Sequence, residues 1–178
     1  MNIFYLHANP KICAQQHVDK HCVKMILEYA QLLSTAHRFL DGTESIVMSE
    51  SGRKKKTWTL PDFRDSVLYS ATHINHPSAI WARRGRENYM HLYNMFIELC
   101  AEYTHRYHKI HKCESMKDTL ALVPNNIGKE FFTQPTPAMP DYCKVPGDSI
   151  ASYRNYYIQE KSRMAVWKTR PTPDWYIT

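Results

Sequence analysis

The sequence predicts a mainly α protein, a single compact helical domain over residues 1–178 with a long proline-rich extended segment near the C-terminus. Three observations carry this. Apolar residues recur at helical spacing through Ala14–Leu33 and again through Tyr89–Tyr107. Asn9-Pro10 and Asp148 have the chemistry of helix starts. Five prolines then fall between Pro124 and Asp148, where each ring blocks both helix and sheet ladders.

The elements follow in order. Residues 2–6, Asn-Ile-Phe-Tyr-Leu, are apolar and suit a short strand or an extended segment tucked against the core. Asn9 supplies an N-cap and Pro10 a first-turn proline, so a first helix is expected from there to about His37, with Asp41-Gly42 ending it. Residues 43–60 are polar and read as a surface loop, with Arg53-Lys54-Lys55-Lys56 as a solvated charge run. Pro61-Asp62 starts a short helix through Val67, Leu68 and Ala71. Pro77 begins the next one and Gly85 punctuates it. A long amphipathic helix is expected from about Arg86 to His108, and a further short one over residues 115–122. Residues 124–147 form the proline-rich segment, after which Asp148 caps a last helix running to Trp167.

Composition narrows the class of partner. The chain has 178 residues, 43% of them hydrophobic, with 12 Tyr, 6 Phe and 4 Trp, enough for one substantial core. A net charge of +6 favours an anionic partner, nucleic acid or nucleotide. Five cysteines form no CxxC pair and no regular framework, so they read as reduced core residues of a cytoplasmic protein, which for a phage-encoded chain means the host cytoplasm. No apolar stretch approaches the length that crosses a bilayer, so no membrane partner is expected. The P-loop, the dinucleotide fingerprint and GxSxG are all missing, and no cofactor is implied.

The chemistry concentrates on the first helix. On a wheel of about 100° per residue, Ala14, Val18, Cys22, Met25, Tyr29 and Leu32 form an apolar stripe that Val23, Ile26, Ala30 and Leu33 widen. His17, Lys20, His21, Lys24, Glu28 and Gln31 share the remaining arc. A helix so apolar elsewhere belongs inside the molecule, so this seam is expected to line a cleft. Glu28, Lys24 and His21 are the candidate catalytic groups. A carboxylate one turn from an ammonium is how a general base or a cation stabiliser is tuned. His17, Lys20 and Gln31 are candidate substrate contacts on the same line.

Two further groups suit an anionic substrate. His73, Asn75 and His76 precede a helix start and are followed by Trp81, Arg83, Arg84 and Arg86, a mixture that grips phosphate oxygens. Tyr153, Arg154 and Tyr156 interleave aromatic and basic residues on the last helix, which suits stacking on unpaired bases. A metal-dependent hydrolase drawing on His17, His21, Glu28 and His76 is an alternative, since paired helical imidazoles can ligate, although no HExxH pattern is present. A non-catalytic phage protein that binds a host factor is another.

Several of these stretches resemble a family of small tailed-phage proteins of uncharacterised activity. They are the opening Asn-Ile-Phe-Tyr-Leu, the run Asp19-Lys20-His21 to Gln31-Leu32-Leu33, His73-x-Asn75-His76-Pro77-x-x-x-Trp81, Pro137-x-Met139-Pro140, and Tyr153-Arg154-x-Tyr156-Tyr157. Ala14-Gln15-Gln16-His17, with Glu160-Lys161, Arg170-Pro171 and Trp175-Tyr176, is also similar to the phage-type pyrimidine-dimer DNA glycosylases. That resemblance implies a small helical DNA-repair enzyme with an N-terminal amine as nucleophile and a glutamate on its first helix. This chain has Asn2 where the resemblance implies threonine. Lys24 stands at the glutamate's spacing, with Glu28 one turn later. The expected function is thus a phage DNA glycosylase or base-modifying enzyme acting on a DNA base or nucleotide.

Overall fold

Helices dominate the computed structural model, which describes residues 1–49 and 51–176. They are α1 (Pro10–Gln16), α2 (Asp19–Asp41), α3 (Arg64–Val67), α4 (Pro77–Arg84), α5 (Arg86–Tyr107), α6 (Lys117–Ala121) and α7 (Ser149–Glu160), and a two-stranded hairpin of β1 (Thr43–Met48) and β2 (Lys54–Thr59) joins α2 to α3. The long α2 and α5 pack together at the centre, and α1 and α4 lean on them. Their apolar faces meet in one cluster that includes Met25, Ile26, Tyr29, Leu33, Leu92, Phe96 and Leu99. The opening segment supplies Ile3, Phe4, Tyr5 and Leu6 to the same cluster, and all four are buried. It is extended and forms no strand.

The caps act where the sequence places them. Asn9 accepts from the amides of Lys11 and Ile12 with Pro10 in the first turn, and Asp148 accepts from Ala151. Gly85 separates α4 from α5. A side chain there is sterically barred, because a Cβ would stand 2.6 Å from the Glu130 carbonyl.

Four expectations need correcting. The first helix is not continuous: His17 and Val18 are extended and split it into α1 and α2. The cause lies far along the chain. The fully buried Arg106 donates to the freed carbonyls of His17 and Gln15, at 2.8 and 2.9 Å, and to Asp19 at 2.9 Å. Secondly, within the expected loop, Thr43–Met48 and Lys54–Thr59 pair as a hairpin, anchored by Trp58 against Phe39 of α2. Thirdly, the helix after Pro61 is confined to Arg64–Val67. Lastly, α7 ends at Glu160, short of Trp167, with a 3-10 turn at Ser162–Met164 after it. Residues 127–138 form neither helix nor strand and run across the molecule, joined to it by Trp81 Nε1 on Thr133 and Asn2 Nδ2 on the Ala138 carbonyl.

Arg106 also pairs with Glu102 at 2.6 Å, and Arg170 closes the network on the other carboxylate oxygen at 2.8 Å. Burial pushes the Glu102 carboxyl up, but the two guanidiniums outweigh it and hold it below its ordinary range. Arg106→Met would leave the His17 and Gln15 carbonyls without their guanidinium donor, while Asp19 keeps the Lys168 amide and Arg170 still covers Glu102. The expected loss is about 3 kcal/mol, the low end for a broken buried pair, measured by urea unfolding.

Candidate active site

The N-terminal half of α2, the opening segment and the end of α7 enclose a cleft of about 150 Å³. It is lined by Met1, Asn2, Phe4, His21, Lys24, Met25, Glu28, Tyr156 and Lys161. Glu28 is the one carboxylate among these residues, and its side chain is only 12% exposed. Its Oε1 lies 3.1 Å from Lys24 Nζ, a contact the i,i+4 spacing dictates. Its Oε2 accepts from the Asn2 amide at 3.1 Å and lies 3.9 Å from the α-nitrogen of Met1. Both oxygens are thereby oriented by donors.

His21 forms the opposite wall. Its ring stacks on Phe4 with centroids 4.1 Å apart, and Nδ1 shares a 2.7 Å hydrogen bond with the Tyr157 hydroxyl, leaving Nε2 for the cleft. Burial first, then the charges of His17, Lys161 and Lys24, lower its pKa to about 3. The imidazole is therefore neutral at physiological pH and serves as a hydrogen-bonding group, not a cation. Phe4 continues the stack to Tyr156, whose outer face carries Lys161 Nζ at 4.5 Å. Near the Glu28 end, His76 caps α4 by accepting from the Ser78 amide at 3.1 Å. Burial, the Met1 α-amine and His73 lower its pKa, while Glu28 opposes them.

The seam read from the wheel is thus split. His21, Lys24 and Glu28 come together in the cleft, but His17 lies fully buried behind it, with Nδ1 donating to the Cys13 carbonyl and Nε2 facing Tyr29. Burial holds His17 down at about 4. It is a core histidine and touches no cleft. Lys20 is exposed outside the cleft, and Gln31 is half-buried beyond it. The arc itself is less enclosed than predicted, because Val23 and Leu27 beside it are 37% and 38% exposed. The break at His17-Val18 separates His17 from the rest of the seam, which lies on α2.

The phosphate-binding group is dispersed. Trp81 is buried with its Nε1 on Thr133, and Arg83 is spent on the Ile74 carbonyl at 2.6 Å and the face of Phe39 at 4.2 Å. Arg84 pairs with Glu130 and Arg86 is exposed. His73 and Asn75 are exposed on the segment leading to His76, where His73 adopts a left-handed φ of 49°. On α7 only Tyr156 reaches the cleft. Tyr153 is core, its hydroxyl donating to Asn2 Oδ1 at 2.7 Å, and Arg154 donates to the Leu6 carbonyl. Met1, Asn2, Phe4 and Lys161 are lining residues that a helix wheel misses. A buried aromatic in the opening run and a lysine one turn past Tyr157 are their only signals.

A larger groove of about 360 Å³ lies between α1 and Arg170–Asp174, with no paired acid and base along it. Among the described residues, no group of three or more His, Cys, Asp or Glu side chains is placed to hold a metal ion. The set His17, His21, Glu28 and His76 is not assembled, since His17 is sealed in the core. No described helix is long and apolar enough to cross a membrane. Compared with known proteins, the chain matches no family model, no curated protein and no solved structure.

Proposed function

We propose that this cleft is a reaction centre on DNA and that the protein is a DNA glycosylase or base-modifying enzyme. The observation that carries the reading is Glu28, a shielded carboxylate oriented by donors on both oxygens and opening onto a cleft whose rim bears Lys24 and Lys161. A fixed anion in a shielded hollow is what stabilises a sugar cation, as carboxylates do in glycoside hydrolysis. The resemblance to pyrimidine-dimer glycosylases adds weight. It implies a glutamate on the first helix; Glu28 is on α2, one turn beyond the position that spacing alone selects, and its carboxylate meets the amide of Asn2, where the resemblance implies threonine.

The size of the hollow shapes the mechanism. Drug-sized ligands occupy pockets of about 300 Å³ or more, so 150 Å³ admits part of a nucleotide and not the whole of it. The strand lies across the mouth with its phosphates against Lys24 and Lys161, and the sugar of the reacting nucleotide faces Glu28. The C1′–N bond breaks as Glu28 stabilises the positive charge on the sugar. Water then adds its hydroxyl to C1′, and its proton leaves with the base. Neutral His21 donates or accepts a hydrogen bond at the sugar or base, and the Phe4–Tyr156 stack supplies an aromatic surface.

The test is base release. The full chain is incubated with ultraviolet-irradiated DNA, DNA carrying modified phage bases, and unmodified DNA. Abasic sites are read by alkaline strand scission, because a base cut from a crosslinked dimer stays tethered to its neighbour, and freed or altered bases are read by mass spectrometry. An abasic site or an altered base from one of these supports the reading, and neither product from any of them sinks it. Lys24→Met probes the rim. Its side chain is 69% exposed, so stability should change by no more than about 0.5 kcal/mol. The dependence of duplex affinity on salt should fall by about 0.9 in log–log slope, because one phosphate is no longer neutralised.

A further inference from the structure

The β1–β2 hairpin has an architecture that packing inside the molecule does not explain. All six residues of β1 and four of the six in β2 are exposed. Ile46 and Met48 are both 63% exposed, and Val47 is 42% exposed. Isolated two-stranded hairpins are marginal in water. Among the described residues this one is held at its root, where Trp58 packs on Phe39 and Arg38 donates to the Trp58 carbonyl at 2.8 Å. Its far half carries Arg53, Lys54, Lys55 and Lys56, and among the described residues Lys56 pairs with Glu44 at 2.7 Å.

The register decides what these cations face. Met48 lies across from Lys54, Val47 from Lys55 and Ile46 from Lys56. Cross-strand partners share a face and neighbours alternate. Lys54 and Lys56 therefore project from one face with Met48 and Ile46, and Lys55 projects from the other with Val47. A flat anionic surface is met by one face only. Positive charge on both faces matches a partner with two anionic walls, and the B-DNA major groove, about 12 Å wide, admits a two-stranded ribbon. The apolar residues suit its floor, where thymine methyl groups lie. The deep, narrow major groove of duplex RNA does not admit such a ribbon.

The placement along α2 fits a single duplex. From Glu28 to Asp41 the helix rises about 20 Å, which is about six base pairs. We infer that the hairpin is a duplex-DNA arm that lodges in the major groove of the duplex held at the cleft. The choice of DNA rests on the reading of the cleft given above, while the exposure, charge and register of the hairpin stand apart from it.

The experiment is fluorescence anisotropy on the full chain with a labelled 24-base-pair DNA duplex, the same DNA single-stranded, duplex RNA, and vesicles of mixed neutral and anionic phospholipid. The variant is Lys54→Ala/Lys55→Ala, which leaves the Lys56–Glu44 pair in place. The arm predicts preference for duplex DNA, with the variant losing roughly 30-fold in affinity at 0.1 M salt and about 1.8 in log–log salt slope. Unchanged affinity and slope overturn it, as does loss of vesicle binding with duplex binding intact. Binding is read without chemistry, so the two readings fail separately. A chain that binds duplex through these lysines yet releases no base sinks only the cleft. A base-releasing chain whose affinity ignores them sinks only the arm.

Discussion

Glu28→Gln is expected to reduce base release by about 10³-fold, the cost of removing one preorganised group that meets charge as it develops. The amide keeps an oxygen for the Asn2 N–H and keeps the side-chain volume, so the fold persists with a loss of about 1 kcal/mol or less. Duplex affinity should not weaken, because a negative charge is removed beside the phosphates. Single-turnover release, thermal unfolding and anisotropy on one preparation separate these three effects. A variant that releases base at the wild-type rate would show that the carboxylate only ties the opening segment to α2.

The second large effect is on stability in acid. Three buried histidines are held neutral: His17 and His37 at about 4 and His21 at about 3, each chiefly by burial. His37 shows the constraint most directly. Its Nδ1 faces Arg64 at 2.9 Å, so it accepts from the guanidinium, and Nε2 donates to the Tyr89 hydroxyl at 2.8 Å. A proton on Nδ1 would set one cation against another. All three folded pKa values lie below the ordinary 6.5, so the fold favours the neutral rings. That stabilisation is complete above about 6.5 and is lost as pH falls toward the folded values. At pH 5 each ring forfeits about 2 kcal/mol, roughly 6 in all, against a usual total of about 5–15. Acid unfolding is expected at about pH 5, seen as loss of helical ellipticity, with His37→Gln shifting the midpoint downward. A chain still folded at pH 4 would contradict this.

Local signals explain what is legible in the sequence. The caps at Asn9 and Asp148, the punctuation at Gly85 and the periodicity of α5 are encoded within a few residues of where they act. The break between α1 and α2 is not, because the guanidinium that stabilises it belongs to Arg106, 89 positions from His17. A wheel drawn through that break puts His17 on the same seam as His21, and the structure separates them. The hairpin is hidden for a different reason. Strands are recognised by one buried face, and β1 has none.

The candidate site divides in the same way. His21, Lys24 and Glu28 are readable because one helix presents all three. Phe4, Asn2 and Lys161 reach the cleft only through tertiary packing, from the opening segment and the far end of α7. Between Tyr153 and Tyr156, spacing does not say which faces outward. The Tyr153 hydroxyl is taken by Asn2, and Tyr156 is left beside the hollow.

Everything proposed for the cleft turns on Glu28 meeting positive charge as it develops on a DNA sugar. The affinity of the protein for two duplexes that differ at one nucleotide addresses this without any chemical step. One duplex bears a cationic pyrrolidine abasic analogue and the other its neutral tetrahydrofuran counterpart. Mimics of a transition state bind at least about 100-fold more tightly than ground-state groups. The wild-type chain should prefer the pyrrolidine duplex by that order, and Glu28→Gln should abolish the preference. Equal affinity of the wild-type chain for the two duplexes would refute the role given to Glu28.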